Sequence, residues 1–179
     1  MSGGNWKTLV AASVAAFAAL AGTAAAPSAP LQPAVSLNAL SRDVLTNVNA
    51  LRKSRGLASL KLSTSLSAAA AQHSTEMARV GYFAHESANG SAFDKRVARY
   101  YSMGSRRYWS VGENLVWAAP DLAAADALKL WLNSADHREI LLTARWREIG
   151  ISAVHVESAG GPYGGGPATI VTADFGVRR

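Results

Sequence analysis

No cysteine occurs among the 179 residues. That absence excludes disulfides, zinc–thiolate sites, thiol nucleophiles and attachment through a lipidated cysteine, so stability must come from packing. Aromatic residues make up only 8% of the chain, and those within periodic segments are the natural core anchors. Acidic residues are few, 12 against 18 basic ones, which leaves a net charge of +6. Thirteen of the basic residues are arginine, and they are scattered; the densest pair beside aromatics is Arg106-Arg107 in RRYW. Without a recognition motif, this scatter points away from nucleic acid and towards anionic envelope polymers or lipid headgroups. No H-E-x-x-H pair is present, and the glycine-rich run at residues 160–166 has no following Gly-Lys-Ser/Thr, so it reads as a loop rather than a phosphate cradle. No internal repeat is found.

The organisation is simple. Lys7 precedes the charge-free run TLVAASVAAFAAL at residues 8–20, and small residues follow from Ala21 to Ala26. A basic start, a short apolar run and a small-residue exit describe a secretory signal peptide cut after Ala24 or Ala25. The run is Ala-rich and shorter than the roughly 20 strongly apolar residues of a membrane span, although a retained anchor is the alternative reading. The expected division is residues 1–25 as signal, 26–36 as a Pro/Ala-rich linker, and 37–179 as one domain, secreted or periplasmic, without a transmembrane segment once the signal is removed. About 140 residues suffice for an ordinary core.

Within the domain, Leu40, Val44, Val48 and Leu51 recur at helical spacing, with Arg42, Asp43, Asn47, Arg52 and Lys53 on the other sides, and Gly56 stops the helix. Leu57, Leu60 and Leu62 form an apolar connector. Ser63 or Ser65 caps a second helix running to Gly81, with Leu66, Ala70, His73 and Met77 on one face. GYFAHES is a short loop, Phe93 and Val97 mark a shorter helix, and residues 102–110 read as irregular. Leu115, Val116 and Trp117 form an extended piece after Gly112-Glu113-Asn114. Asp121 is the expected cap of a further helix whose inward residues are Leu122, Ala125, Leu128 and Leu132. Alternation at residues 149–156 and 169–177 predicts a hairpin closed by the flexible loop SAGGPYGGGP.

Four histidines are present, and histidine is both a common metal ligand and an acid–base group near neutrality. His73 shares an apolar helix face and reads as a core residue. His155 lies in a strand near its end and reads as a surface residue. His85 and His137 lie in loops or at element starts, beside small polar residues, as does Glu113, and loops carry function more often than packed elements do. Trp117 and Trp131 are expected core anchors. Tyr108 and Trp109, next to Arg106 and Arg107, are candidates for an exposed loop that faces a ligand.

The order of motifs resembles the CAP superfamily of cysteine-rich secretory, antigen 5 and pathogenesis-related proteins. The residues that carry the resemblance are 49–78 (NALRKSRGLASLKLSTSLSAAAAQHSTEMA), GYFAHES, GENLVWA, WLNSADHREILL, REIGISAV and TADFG. The missing cysteines and the SADHREILL form are similar to bacterial members. The resemblance implies an α/β fold, an α-β-α sandwich around a small, mainly antiparallel sheet. It also implies a cleft lined by two histidines and two glutamates. His85 and His137 match the histidines and Glu113 the first glutamate. Ser134, three residues after Trp131, stands where the second glutamate would be, with Asp136 and Glu139 the acidic residues near it. Asn114 and Ser134 are expected to line the cleft.

Two imidazoles and a carboxylate suit a divalent metal, Zn²⁺ above all, with His85, His137 and Glu113 as ligands. Glu113 is alternatively the residue that orients bound water, and the one candidate for a catalytic role. The resemblance implies an exported module that binds a lipid- or sterol-like ligand or a metal, without established catalysis. The alternatives are a metal-assisted hydrolase or peptidase, and a structural envelope protein held by its basic surface.

Overall fold

The computed structural model describes residues 9–10, 14–15 and 37–179. The remainder of the segments read as signal peptide and linker lies outside the described residues. The described part of the apolar run forms two short strands, β1 (Leu9–Val10) and β2 (Val14–Ala15).

Periodicity at residues 40, 44 and 48 is realised in α1 (Leu37–Ser54), where Leu40, Val44 and Val48 are buried. Arg52, expected on an outer side, is fully buried instead. Its Nε donates to the carbonyl of Ala58, and its Nη1 to those of Leu141 (2.7 Å) and Thr143 (3.1 Å). A helix leaves its last carbonyls without partners, and Arg52 satisfies those at the end of α5 (Ala135–Leu142) from another element. The connector includes β3 (Lys61–Leu62), whose Leu62 is 58% exposed. Ser63 caps α2 (Thr64–Val80) by accepting from the Leu66 N–H, and Gly81, at φ 79°, ends it by donating to the carbonyl of Met77.

The short helix α3 (Phe93–Ala98) precedes the long strand β4 (Trp109–Ala118). The strand starts within the segment read as irregular. Helix α4 (Ala124–Asn133) begins later than the sequence suggests: its N-cap is Ala123, and Asp121 is an exposed loop residue. Its buried residues are Ala127 and Trp131, whereas Ala125 is exposed. The Trp131 indole donates to the carbonyl of Leu115 at 2.9 Å, which pins α4 to β4. The chain ends in β5 (Glu148–Val156) and β6 (Ala168–Arg178).

The sheet runs β4-β6-β5-β3, antiparallel at both central junctions and parallel between β3 and β5. At the outer edge of β4, β1 pairs in parallel with Gly112 and Glu113, and β2 with Val116 and Trp117. Strand alternation divides the core in two. Val116, Val171, Ala173, Phe175, Ile149 and Ile151 pack with α1, α4 and α5. On the other face Met77 of α2 meets Leu115, Trp117 and Ile170, and Leu66 packs with Phe93, Val97 and Val111. The architecture is therefore an α-β-α sandwich of the α/β class.

The loop between β5 and β6 is anchored rather than free. It holds a 3₁₀ turn (Gly161–Tyr163), and Tyr163 is buried, its ring 5.0 Å from that of Trp117 and its hydroxyl donating to the carbonyl of Tyr82. Gly161, at φ 63°, lies where a Cβ would sit 2.0 Å from the Gly81 carbonyl oxygen. An apolar ring within a glycine-rich run overrides the flexibility that its neighbours suggest.

Gly150 is the tightest junction of helix and sheet: a Cβ there would come within 2.1 Å of the backbone at Leu66 and Ser67. Replacing Gly150 with alanine must lift α2 off β5, an overpacking cost of about 3 kcal/mol. Gly166→Ala, with nothing within 4 Å of the new atom, is expected to change stability by less than about 0.5 kcal/mol. Urea unfolding of both variants checks the difference, and equal effects would contradict the packing described.

Candidate functional site

Glu113 is not a loop residue. Gly112 and Asn114 suggest a turn, but cross-strand pairing takes the segment into the middle of β4, where Glu113 lies opposite Asp174 of β6. Alternation then points Glu113 to the face covered by α2 and α3, and Asn114 to the face covered by α5. The Asn114 amide donates to the carbonyl of His137 at 3.1 Å, fixing the start of α5 against the strand.

Glu113 is fully buried. Its Oε1 accepts from His85 Nδ1 at 2.8 Å, and its Oε2 accepts from the guanidinium of Arg96. An ionised carboxylate only accepts, so His85 donates from Nδ1. Arg96 also donates to the carbonyl of His85 at 2.9 Å, holding the GYFAHES loop to α3. Burial alone would raise the Glu113 pKa. The His85 hydrogen bond and the Arg96 charge outweigh it and hold the carboxyl down to about 2.

Asp174 is the opposite case. Burial, then the adjacent Glu113 charge, raises its pKa well above the usual carboxylate range. Its two oxygens have no hydrogen-bond partner among the described residues. Of the two carboxyls, Glu113 thus takes the negative charge more readily, and Arg96 balances it.

His137 is buried on α5, and neither ring nitrogen has a partner among the described residues. Burial, and then the nearby His85, lower its pKa to about 4. His85 and His137 therefore lie within electrostatic reach of each other, one on each side of β4. His73 is buried as expected but borders the same network. Its Nε2 donates to the carbonyl of Ala84 at 2.9 Å, and burial lowers its pKa to about 4 against the opposing pull of Glu113.

Ser134 is a half-buried hinge between α4 and α5, and Asp136 and Glu139 are exposed on α5. None of the three reaches the Glu113 cluster through a hydrogen bond or an ion pair. His155 is partly exposed, 2.9 Å from the Thr169 hydroxyl and 3.6 Å from Asp121. Tyr108 is exposed, whereas Trp109 is half-buried and donates to the carbonyl of Tyr101. Arg96 and Asp174 belong to the site although no sequence motif singles them out. The signals were present: Arg96 falls on the helix face of Phe93 and Val97, and alternation from Ile170 places Asp174 on the inner side of its strand.

The two buried histidines predict acid sensitivity. An unfolded chain protonates them near pH 6.5, whereas the folded one resists until about pH 4. The stability they supply is complete above pH 6.5 and is lost as pH falls towards 4. At pH 5 each withholds on the order of 2 kcal/mol. Asp174 acts in the opposite sense, because its raised pKa favours the folded state as pH falls below that value. Comparison of each protein with its own neutral-pH value isolates one group. In His137→Gln the loss of stability between pH 7 and pH 5, read by urea unfolding, is expected to be about 2 kcal/mol smaller than in the parent. An unchanged loss would show that His137 titrates normally.

Comparison with known proteins identifies the family. Residues 45–175 match the cysteine-rich secretory protein family, CAP. The uncharacterized protein YkwD of Bacillus subtilis is 32% identical over 120 residues, covering 66% of this chain and 44% of that protein. The chain spans less than half the length of the curated relatives it matches. Among solved structures, an extracellular protein containing an SCP domain from Bacillus anthracis superposes with a TM-score of 0.61 at 25% identity, covering 85% of this chain and 45% of that one. An outer surface protein from Borrelia burgdorferi gives 0.61 at 20% identity, covering 77% and 92%. No helix among the described residues is long and apolar enough to cross a membrane. With its motifs in family order and its helices on both faces of the sheet, this chain belongs to the CAP family.

Proposed function

We propose that the protein is an exported ligand-binding module whose site is the edge of β4, where the imidazoles of His85 and His137 meet the ligand. The observation that carries this reading is the double engagement of Glu113. One carboxylate oxygen holds His85 and the other holds Arg96, and together they hold the carboxyl pKa down to about 2, which leaves neither oxygen basic enough to take a proton from water near neutral pH. A hydrolase with Glu113 as general base needs such an oxygen. Ser134 has no hydrogen bond from its hydroxyl to a histidine that would make it a nucleophile.

The residues fit a divalent metal in a restricted way. His137 has two buried nitrogens without partners among the described residues, and His85 is held in one tautomer by a carboxylate, an arrangement common behind metal-bound histidine. Zn²⁺ suits two such imidazoles, with water completing the shell. Glu113 would then orient His85 and not ligate. Among the described residues no three His, Cys, Asp or Glu side chains are grouped closely enough to form a complete cage. A lipid-like ligand has a different place to go: a shallow groove of about 430 Å³ between α1 and α4, lined by Ala50, Leu51, Ala125 and Leu128 among others.

Removal of the leader ahead of Ala25 or Ala26 would strip β1 and β2 from β4. The freed edge beside Glu113 would then be open to a ligand, since an unpaired strand presents a row of donors and acceptors.

Calorimetric titration of Zn²⁺ tests the proposal. His85→Ala and His137→Ala are each expected to weaken binding at least about tenfold, and Glu113→Gln by about 10–100-fold through its hold on His85. His155→Ala, a surface control, is expected to leave affinity unchanged. Equal affinity in all four variants would refute the site. Turnover of peptide or ester substrates that Glu113→Gln abolishes would favour the hydrolase instead.

A further inference from the structure

The segment between α3 and β4 does nothing for the histidine site, yet it is firmly held. A turn closes it, the N–H of Arg106 donating to the carbonyl of Met103 at 3.2 Å. The N–H groups of Arg107 and Tyr108 both donate to the carbonyl of Arg179, and the Arg179 N–H returns to the carbonyl of Tyr108. Arg178 donates to the carbonyl of Ser102 while its guanidinium covers the buried Tyr101 ring at 4.0 Å. Residues 102–108 are thus fastened to the end of β6 by backbone and side chain together, and every one of them is exposed.

This fixed projection carries two kinds of group. Arg106, Arg107 and Arg179 are cationic and exposed, and none forms an ion pair with a carboxylate among the described residues. The nearby Glu148 is already engaged by the Tyr101 hydroxyl and lies 3.9 Å from Arg178. Beside them stand three of the five large apolar side chains that the described surface exposes: Tyr100 at 40%, Met103 at 37% and Tyr108 at 37%. The other two, Leu62 and Val80, belong to other elements. Arg179 lies 5.0 Å over the Tyr108 ring, so cation and aromatic share one surface.

We propose that this projection is a docking surface for an anionic lipid bilayer. Positive charge alone would suit any polyanion. The apolar side chains decide the source, because tyrosine and methionine beside uncompensated arginine match the headgroup boundary, with the rings at the interface and the guanidinium groups on lipid phosphates. A soluble polyanion offers those side chains no apolar phase. The net charge of +6 favours the approach over a longer range. Docking here leaves the edge of β4 near His85 and His137 to its own ligand.

Cosedimentation of the full chain with phosphatidylcholine vesicles, with and without phosphatidylglycerol, tests this. All variants share the same apolar leader, so its contribution is constant. Arg106→Gln/Arg107→Gln is expected to lower affinity for the anionic vesicles by about thirtyfold, at roughly fivefold per arginine. Arg42→Gln/Arg55→Gln removes the same charge from exposed positions on or just after α1 and is expected to cost less than about threefold. Met103→Ser/Tyr108→Ser is expected to weaken vesicle binding while leaving retention of soluble polyphosphate unchanged. Equal losses in the two arginine pairs would overturn the site. Vesicle binding indifferent to Met103 and Tyr108 would assign the surface to a soluble polyanion and overturn the bilayer. Because the substituted side chains are exposed, thermal midpoints are expected to stay at the parent value, and Arg179→Gln provides an independent member of the patch.

Discussion

A carboxylate buried in the middle of a sheet costs several kcal/mol unless positive charge and hydrogen bonds meet it there. Glu113 is such a carboxylate, and much of the second face of this domain is arranged around it. Arg96 brings the charge from α3, and its other bond fixes the carbonyl of His85. His85 brings the remaining donor from a loop that has no regular structure of its own. Asp174, directly across the ladder, holds its proton to higher pH than an ordinary carboxyl, which lessens the negative charge set beside Glu113. Remove the carboxylate and a buried arginine is left without its counter-ion, a loop loses its anchor, and a histidine loses its orientation.

The same constraint joins stability to the site. Histidine becomes useful to a ligand when its tautomer is fixed and its ring is held still. Here both follow from interactions that the fold requires anyway. His137 reaches the neighbourhood by a different route. Trp131 bonds the Leu115 carbonyl, Asn114 bonds the His137 carbonyl, and α5 is set against the opposite side of the same strand. One strand, β4, therefore positions a histidine on each of its faces.

Much of the scaffold is legible in the sequence, because α1, α2 and the β5–β6 hairpin are long and strongly periodic. The caps of α2, Ser63 and Gly81, stand where local chemistry wants them. The site is less legible. His85 and Glu113 stand out as polar residues among small ones, but nothing local shows that Glu113 lies within a strand. That placement is set by ten paired positions along β6, which are contacts distant in sequence. Arg96 and Asp174 look like surface charges until the faces of their elements are known. Arg52 misleads for the same reason, since its long side chain reaches carbonyls on an element about 90 residues away. Asp121 has the chemistry of a helix cap and a proline before it, yet the helix starts three residues later, an example of local preference yielding to packing by Ala127 and Trp131.

The ionisation of the carboxyl pair underlies the whole site. Carboxyl carbon resonances of isotopically labelled protein report each group directly as pH is lowered. Glu113 is predicted to remain ionised well below the ordinary value of 4.5 for as long as the chain stays folded, and Asp174 to take up its proton at a pH well above the usual carboxylate range. A Glu113 that takes up its proton at 4.5 or above, or an Asp174 that titrates within the usual carboxylate range, would contradict the arrangement on which the histidine site depends.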